Sequence, residues 1–417
     1  MRSERQTLAL PSTLLAVAQT PNSVADDTLR RFLGRLDGSS LVSPAHREAA
    51  LADYLSLPSG HERPGRYWKI NLDALDLAAV EPSADADQSR PIITTPEKRG
   101  IIACDLLSAK RRHGELFERH FGSGVRARSA KFAALNKAFL TNGAFVYVPD
   151  GVDISEPIVI TYQTAKASEF PYTLVVAGEG SHCTVVERLS GSAPLVCGVA
   201  EVVSAPSAQV HYASLQTLAD DSHTLFTRHA LPGKDSLIAW SIAELGAELS
   251  VCDVLVRIEE SGVQANIAAL FFPSQKQHVD LVTTVEHSVG QAQSHTLVKS
   301  AATGFGQGRY LGNIHIAPSA HGTEAALKDD ALLLSKTAHI DSVPALEIAA
   351  NDVKAFHGAT VGAIDESALF YMMSRGIERT AAEKLITLGF FEPAIAHFPG
   401  ESLREEIRSG LEPKIQA

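Results

Sequence analysis

The residue with the clearest chemical potential is His357, which follows a short β-type run at 345–349 and a polar stretch. Residues with helical spacing come soon after it, so we expect His357 near the junction of a β domain and a C-terminal helical domain. A neutral imidazole at such a junction would bind iron or carry a proton near neutral pH. The alternative is a histidine that only hydrogen-bonds within its own turn, and the chemistry of the segment leaves both interpretations open.

A permanent metal site elsewhere has weaker support. His278 and Asp280 are two residues apart on an expected strand, so their side chains would share one face. His287 and His295 follow in the next segments, but the compact motif H-E-x-x-H is absent. We therefore expect these histidines to be structural.

The four cysteines are Cys104, Cys183, Cys197 and Cys252, and none forms a CxxC pair. Three of them lie in apolar β-type runs, which predicts buried, reduced thiols. A disulfide framework is not expected in a large chain with a cytosolic character. A self-contained cysteine-ligated cluster or zinc ribbon lacks its ligands.

The sequence motifs and the net charge argue against several classes of function. The glycines at 304, 306 and 308 lack the order G-x-G-x-x-G and precede an expected strand, so they predict a tight turn rather than a phosphate loop. The chain contains neither G-x-x-x-x-G-K-[ST] nor G-x-S-x-G. Its formal charge of −11 would repel a nucleic-acid backbone.

The chain has no stretch near the roughly 20 apolar residues that span a bilayer. We interpret residues 1–20 as part of the mature protein, because Pro11 interrupts the apolar run and no small-residue cleavage site ends it. No membrane association and a cytoplasmic location are therefore expected.

Hydrophobic periodicity divides the 417-residue chain into three zones. Helical spacing comes first, then about 200 residues of short β-branched runs separated by Gly, Pro, Ser or Asp, and then helical spacing again. The predicted domains are an N-terminal helical domain at 1–130 with a linker near 81–100, a mainly β core at 131–350 and a C-terminal helical domain at 351–417.

Periodicity alone does not decide the architecture of the β core. Such a train of strands must close its edges as a sandwich, a barrel or a β-helix, and its length favours the β-helix. In the C-terminal zone, Thr380 with Glu383 and Ser402 with Glu405 predict two capping boxes. Gly389 is expected to end the first of these helices.

Several strings in this order resemble the SufB/SufD family. They are ALNKAF at 134–139, GAFVYVPDGV at 143–152, LLLS at 332–335, PALEI at 344–348, His-Gly-Ala-Thr-Val-Gly at 357–362 and LFYMMSRGI at 369–377. Together they cover roughly residues 130–391. The glycine after His357 is typical of the SufD branch, whereas the SufB branch has glutamate there.

The resemblance implies a right-handed parallel β-helix between N-terminal and C-terminal helical domains. It also implies a non-enzymatic scaffold subunit for iron–sulfur cluster assembly, which pairs with a SufB-like subunit through the β-helices. A SufC-like ATPase would bind the C-terminal helical domain. A cluster would form transiently at the SufB–SufD interface, with His357 as the cluster-assembly residue or iron ligand, and the isolated chain would bind none tightly.

One departure from the family pattern concerns the possible ligand set. SufD proteins often read Lys-Cys-Ser-His before Gly-Ala-Thr, whereas this chain has Ala355 and Phe356 before His357. We expect the partner to supply the thiolate, which is the softer ligand for iron.

The sequence leaves two alternatives to an assembly scaffold open. A β-helix polysaccharide lyase would need a groove of aspartates and basic residues, often with calcium, and no such cluster is evident in the sequence. A purely structural, self-associating β-helix protein is the other alternative. The sequence leaves open whether the chain forms a homodimer or binds a flavin.

Overall fold

The computed structural model describes residues 23–36, 41–57, 90–97, 100–125 and 131–415. The expectations for residues 1–20 and for most of the linker near 81–100 therefore lie outside the described residues. Within the described ranges, no helix is long and apolar enough to cross a membrane.

The N-terminal part of the chain is helical. Its described helices are α1 Ser23–Leu33, α2 Pro44–Ser56, α3 Leu106–Arg112, α4 Gly114–His120 and α5 Lys131–Phe139. Arg47 of α2 is buried and donates hydrogen bonds to the carbonyl oxygens of Ala138 at 2.7 Å and Leu140 at 2.6 Å. Those oxygens lie at the end of α5, where backbone acceptors have no helical partner, so Arg47 joins the two helices.

Two nine-stranded sheets form the core of the molecule. Sheet A contains β1 Ile92–Thr94, β4 Ile158–Ala165, β6 His182–Ser192, β8 Gln209–Leu218, β10 Leu237–Glu244, β12 Gln264–Phe271, β14 Gln293–Ala302, β16 Thr323–Leu333 and β18 Val353–Ala363. Sheet B contains β2 Ile102–Asp105, β3 Gly143–Val148, β5 Tyr172–Ala177, β7 Val196–Ser204, β9 His223–Leu231, β11 Leu249–Ile258, β13 His278–His287, β15 Gln307–Ile316 and β17 His339–Ile348.

The chain alternates between the two sheets, and neighbouring strands within a sheet are parallel except at one end. There, β1 runs antiparallel to β4, and β2 runs antiparallel to β3. Eight parallel strands remain in each nine-stranded sheet, so the chain makes eight coils. The predicted parallel β-helix with helices at both ends is confirmed. Gly304 and Gly306 lie in a turn between β14 and β15, as predicted, with Gly304 at φ +61°, and Gly308 lies on β15.

Strict alternation of side chains fills the interior. On β10, Ile238, Trp240 and Ile242 face inward and are at most 1% exposed. Parallel pairing in register stacks equivalent positions of successive coils, as in Tyr212 beside Trp240 with ring centroids 4.8 Å apart. This stacking explains the abundance of β-branched and aromatic residues, which pack well on a pleated surface.

A buried ionic network interrupts the apolar interior. Arg228 lies 3.5 Å from a carboxylate oxygen of Glu244 and 4.0 Å from one of Glu187. Its guanidinium also donates to the Sγ of Cys252 at 2.9 Å, and Tyr212 donates to Glu187 at 2.7 Å. The network links four coils inside the solenoid, and each member depends on the others for charge or hydrogen bonding.

Helices cover the outer faces of both sheets. The N-terminal helices pack on sheet B, where Glu201 of β7 also accepts backbone hydrogen bonds from Gly122 at 2.9 Å, Val125 at 3.3 Å and Gly124. The carboxylate thereby holds the loop between α4 and α5. The C-terminal helices α6 Glu366–Ser374, α7 Arg379–Ile395 and α8 Glu401–Ile415 follow β18, and apolar residues of α7 and α8 pack on sheet A.

The C-terminal boundaries differ from the sequence predictions. The solenoid continues through β18, beyond the boundary expected at residue 350. Glu378 caps α7 by accepting from the Ala381 amide, and α7 runs past Gly389. Both predicted capping boxes are wrong, because the Glu383 and Glu405 carboxylates bind Arg379 and Arg408 instead. Arginine neighbours on the same helix compete for these glutamates.

Replacing Arg228 with Met should lower the free energy of unfolding by about 3–5 kcal/mol, because Glu187 and Glu244 would remain buried without their cation. The matched control is Arg188→Met, which removes a partly exposed ion pair with Glu406 and should cost about 1 kcal/mol or less. Chemical denaturation followed by circular dichroism measures both. Equal midpoints for the two variants would contradict the importance of the internal network.

Candidate functional site

The two ends of the β-helix differ. The first coil is closed, since β1 and β2 lie against it and its inward residues Ile158 and Ile160 are fully buried. In the last coil, formed by β17 and β18, the inward residues Ile348 and Val361 are 44% and 46% exposed. Among the described strands, none pairs with the outer edge of β17 or β18. We call this open end of the solenoid the mouth.

His357 lies at the mouth. It occupies the middle of β18, where it pairs in register with Leu327, an inward residue of β16. Its side chain therefore belongs to the inward face, yet it is exposed because no further coil covers it. The segment forms the eighth parallel strand of sheet A and is followed by α6, so His357 lies near the expected junction, and the alternative of a histidine in a turn is wrong.

The two residues before His357 lie on different faces of β18. Ala355 pairs with Ala325 and packs against the interior, whereas Phe356 lies on the outer face and is 61% exposed. A Cβ added to Gly358 would lie 3.2 Å from the Phe356 ring, which fits two residues on the same face. Phe356 therefore makes the outer face apolar rather than the His357 side.

Asp329 of β16 is a second polar group at the mouth, and the sequence analysis missed it. It pairs in register with Val298 and Ala359, faces inward and is fully buried. Ser342 of β17 donates a hydrogen bond to its Oδ2. Burial raises the pKa of Asp329 from 3.8 to about 7, against the lowering effect of the Ser342 hydrogen bond. The sequence did contain a signal, because an aspartate on the inward face of an apolar strand is almost never buried unless it is paired.

Polar bridges on the outer face hold β18 against its neighbours. Asp330 accepts hydrogen bonds from Lys299 at 2.7 Å and Thr360 at 2.6 Å, which joins β14, β16 and β18. Lys354 of β18 donates to Glu324 of β16 at 2.6 Å. Backbone pairing with β16 sets the register of β18, and this register places His357 beside Leu327.

Comparison with family models identifies the protein family to which this chain belongs. A family model described as the SUF system FeS cluster assembly, SufBD core domain, matches residues 160–390, more than half of the chain. The chain belongs to the SufBD family. A second model, described as the SufBD protein N-terminal region, matches residues 86–160.

Relatives within the SufBD family are similar over most of their length. An iron–sulfur cluster assembly SufBD family protein of Staphylococcus epidermidis is 30% identical over 73% of this chain and 67% of its own length. Proteins with the same family description from Staphylococcus haemolyticus and Staphylococcus aureus are 29% identical over the same shares. These matches favour an assembly protein over the lyase and the purely structural alternative.

Asp280 and His287, two of the candidate metal ligands named from the sequence, have structural partners in this SufBD protein. Asp280 accepts two hydrogen bonds from Arg309, at 2.6 and 2.7 Å. His287 is hydrogen-bonded to Ser294 at 2.9 Å, and burial lowers its pKa to about 4. Across the described residues, no group of three or more His, Cys, Asp or Glu side chains could hold a metal.

The four cysteines of this family member are unpaired thiols. Cys183, Cys197 and Cys252 are buried, and Cys104 is partly buried, so the prediction of buried, reduced thiols holds for three of them. Burial raises the pKa of Cys183 to about 12 and that of Cys104 to about 11. Thiols that stay protonated at neutral pH are poor nucleophiles and poor metal ligands.

A second exposed apolar surface lies on helix α6. Phe370, Tyr371 and Met373 are 74%, 60% and 43% exposed, while Leu369 alone is buried on this helix. Aromatic and Met side chains are enriched in protein interfaces. We call these three exposed residues the α6 patch.

Replacing Asp329 with Asn should stabilise the isolated chain above pH 7 and leave its stability unchanged near pH 4. The folded pKa of about 7 exceeds the ordinary 3.8, so the unfolded chain loses its proton first and stability falls as pH rises between these values. At about 1.36 kcal/mol per pKa unit, the gain approaches 4 kcal/mol. Denaturation midpoints across pH 4–8 measure it.

Glu324→Gln on the same strand is the control, since its carboxylate is solvent-exposed and bound to Lys354. It should show no stabilisation at any pH. Equal effects of Asp329→Asn at pH 4 and pH 8 would contradict the burial of an ionisable carboxyl at the mouth.

Proposed function

We propose that this SufBD protein is the SufD-type, non-enzymatic scaffold subunit of an iron–sulfur cluster assembly complex. Its partners are a SufB-like subunit and a SufC-like ATPase. The cluster is cargo, formed transiently where the mouth meets the partner and held tightly by neither chain alone. The observation that carries the proposal is the open last coil of the β-helix with His357 on its inward face.

The mouth supplies the surface for the SufB-like subunit. The outer edges of β17 and β18 carry backbone N–H and C=O groups that a strand of another chain can bind. Exposed inward residues, including Ile348 and Val361, add apolar area that gains free energy on burial. A second β-helix stacked end-on satisfies both requirements at once, because its terminal coil offers the same edges and the same interior.

His357 contributes the chemistry of this chain at that interface. An imidazole can ligate iron or accept the proton that a thiol loses when it binds the metal. None of the four cysteines lies on β17 or β18, so the thiolate comes from the partner. The absence of Cys at Ala355 is therefore compatible with assembly.

The α6 patch supplies the surface for the ATPase. The sequence has no phosphate-binding loop of its own, so ATP-driven work requires a second protein. The C-terminal helical domain rests on sheet A through α7 and α8, which leaves α6 projecting three apolar side chains into solvent. Movement of a bound ATPase would be transmitted through these helices to the β-helix.

A cytoplasmic location and the formation of a homodimer both remain predictions. The edges of the mouth suit a second copy as well as a SufB-like chain. Size measurement of the protein with and without its SufB-like partner distinguishes the two assemblies.

His357→Ala should abolish cluster assembly in the reconstituted complex while all three subunits still co-purify. The loss is chemical, since a nitrogen ligand or proton acceptor disappears from an exposed position that contributes little to folding. Absorbance of the assembled cluster and analysis of iron and sulfide measure the effect. His357→Gln should fail as well, because an amide lacks the basicity of imidazole.

The matched control is His339→Ala, which removes an exposed histidine of the same coil that faces outward and binds Asp341 at 3.1 Å. It should leave assembly at the wild-type level. Wild-type assembly by His357→Ala would instead reduce His357 to a structural residue.

Phe370→Asp should abolish co-purification with the ATPase, because it places a charge in the centre of the α6 patch. The fold should persist, since the ring is 74% exposed. The control is Phe305→Asp, which changes an equally bulky ring that is 64% exposed in the turn between β14 and β15. Pull-down with the ATPase measures both, and unchanged binding by Phe370→Asp would disprove the assigned surface.

A further inference from the structure

We propose that Asp329 is the positioning residue of His357: its carboxylate accepts a hydrogen bond from one imidazole nitrogen and leaves the other to face the mouth. This inference rests on the proposed role of His357. It gives a role to the buried Oδ1 of Asp329, which has no hydrogen-bond partner among the described residues.

The inward face of the last coil is almost entirely apolar. Register with core residues identifies its inward positions, which are 340, 342, 344, 346 and 348 on β17 and 353, 355, 357, 359 and 361 on β18. Only Ser342 and His357 among them carry polar side chains. Any side-chain donor for Asp329 from this coil must therefore be one of these two residues.

One carboxylate oxygen of Asp329 accepts a hydrogen bond, and the other has no donor among the described residues. Ser342 donates to Oδ2, whereas the buried Oδ1 has no hydrogen-bond partner among the described residues. A buried acceptor without a donor costs roughly 1–3 kcal/mol, so such atoms are uncommon and call for a reason. His357 is the remaining polar group on the last coil that can supply the missing donor.

The strand register brings the two side chains within reach. Asp329 pairs with Ala359, two residues after His357, so the acid and the imidazole are diagonal neighbours on adjacent strands. A strand spacing of about 4.8 Å and a rise of about 3.3 Å per residue place their Cα atoms about 8 Å apart. An aspartate and a histidine side chain on the same face can span that distance after rotation of the exposed imidazole.

The other charged groups near Asp329 are already engaged. Asp330 faces outward and binds Lys299 and Thr360, and Lys328 lies 3.5 Å from the same carboxylate. Tyr310 of β15 faces inward, and its hydroxyl is hydrogen-bonded to Thr283 at 2.7 Å. None of these groups offers Asp329 Oδ1 a hydrogen bond among the described contacts.

A carboxylate behind an imidazole has a defined chemical effect. It fixes which nitrogen carries the proton, orients the ring, and makes the outward nitrogen a stronger base and ligand. At the mouth, the outward nitrogen would face iron or a thiol of the partner. Removing such a partner from a ligating histidine typically weakens metal binding or activity about 10–100-fold.

The test measures the imidazole directly in the full chain. Protein labelled with ¹⁵N-histidine gives ring nitrogen signals, and the His357 signals are those that disappear in His357→Ala. Wild-type protein at pH 8 should show one dominant tautomer. Asp329→Leu, which fills the same space without an acceptor, should give mixed tautomers, and Asp329→Asn, which keeps one acceptor oxygen, should lie between them.

The same variants are then compared in the reconstituted complex. Asp329→Leu should slow cluster assembly about 10–100-fold, and Glu324→Gln, on the outer face of the same strand, should change neither tautomer nor assembly. An unchanged tautomer in a folded Asp329→Leu protein overturns the inference, even where His357→Ala still abolishes assembly. If Asp329→Leu shifts the tautomer but His357→Ala assembles normally, the hydrogen bond stands and the proposed role of His357 fails.

Discussion

Every strand of this β-helix depends on backbone hydrogen bonds to the coil before it and the coil after it. Strands of the inner coils meet that requirement on both edges, whereas the first and last coils each have one edge without a neighbouring coil. The N-terminal end meets it internally, because β1 and β2 turn back antiparallel against the first coil. At the C-terminal end, none of the described strands pairs with the outer edge of β17 or β18, and inward apolar residues there remain exposed.

The interior shows two ways of burying charge. Deep in the solenoid, Arg228 is surrounded by carboxylates and a thiol, so its charge is compensated within the fold. At the mouth, Asp329 accepts a hydrogen bond from Ser342, and burial raises its pKa to about 7 against the lowering effects of that bond and of the Lys299 charge. A buried charge that is compensated usually has a structural role, whereas an ionisable group with a strongly perturbed pKa lies more often at a functional site.

The sequence predicted a train of short strands, because β-branched runs and turn residues repeat along it, whereas the choice of a β-helix depended on the resemblance to the SufB/SufD family. It did not predict β18, since alanines and glycines around His357 weaken the alternation that marks a strand. It also missed Asp329, because the adjacent Asp330 hides which of the two acids faces inward. The predicted capping boxes were wrong for another reason. The sequence shows that a glutamate can accept a hydrogen bond, but only the fold shows that an arginine competes for it.

Two polar bridges across β14, β16 and β18, the Lys299–Asp330 ion pair and the Thr360–Asp330 hydrogen bond, join residues 31 and 30 positions apart, so each coil contacts mainly the coils next to it. Such a topology lets folding propagate coil by coil, with each new coil laid on the one before. The last coil is supported from one side only and should exchange its amide protons fastest within the solenoid. Docking of a partner would then act as the final step of folding, and the complex would inherit a rigidity that the free subunit lacks at its mouth.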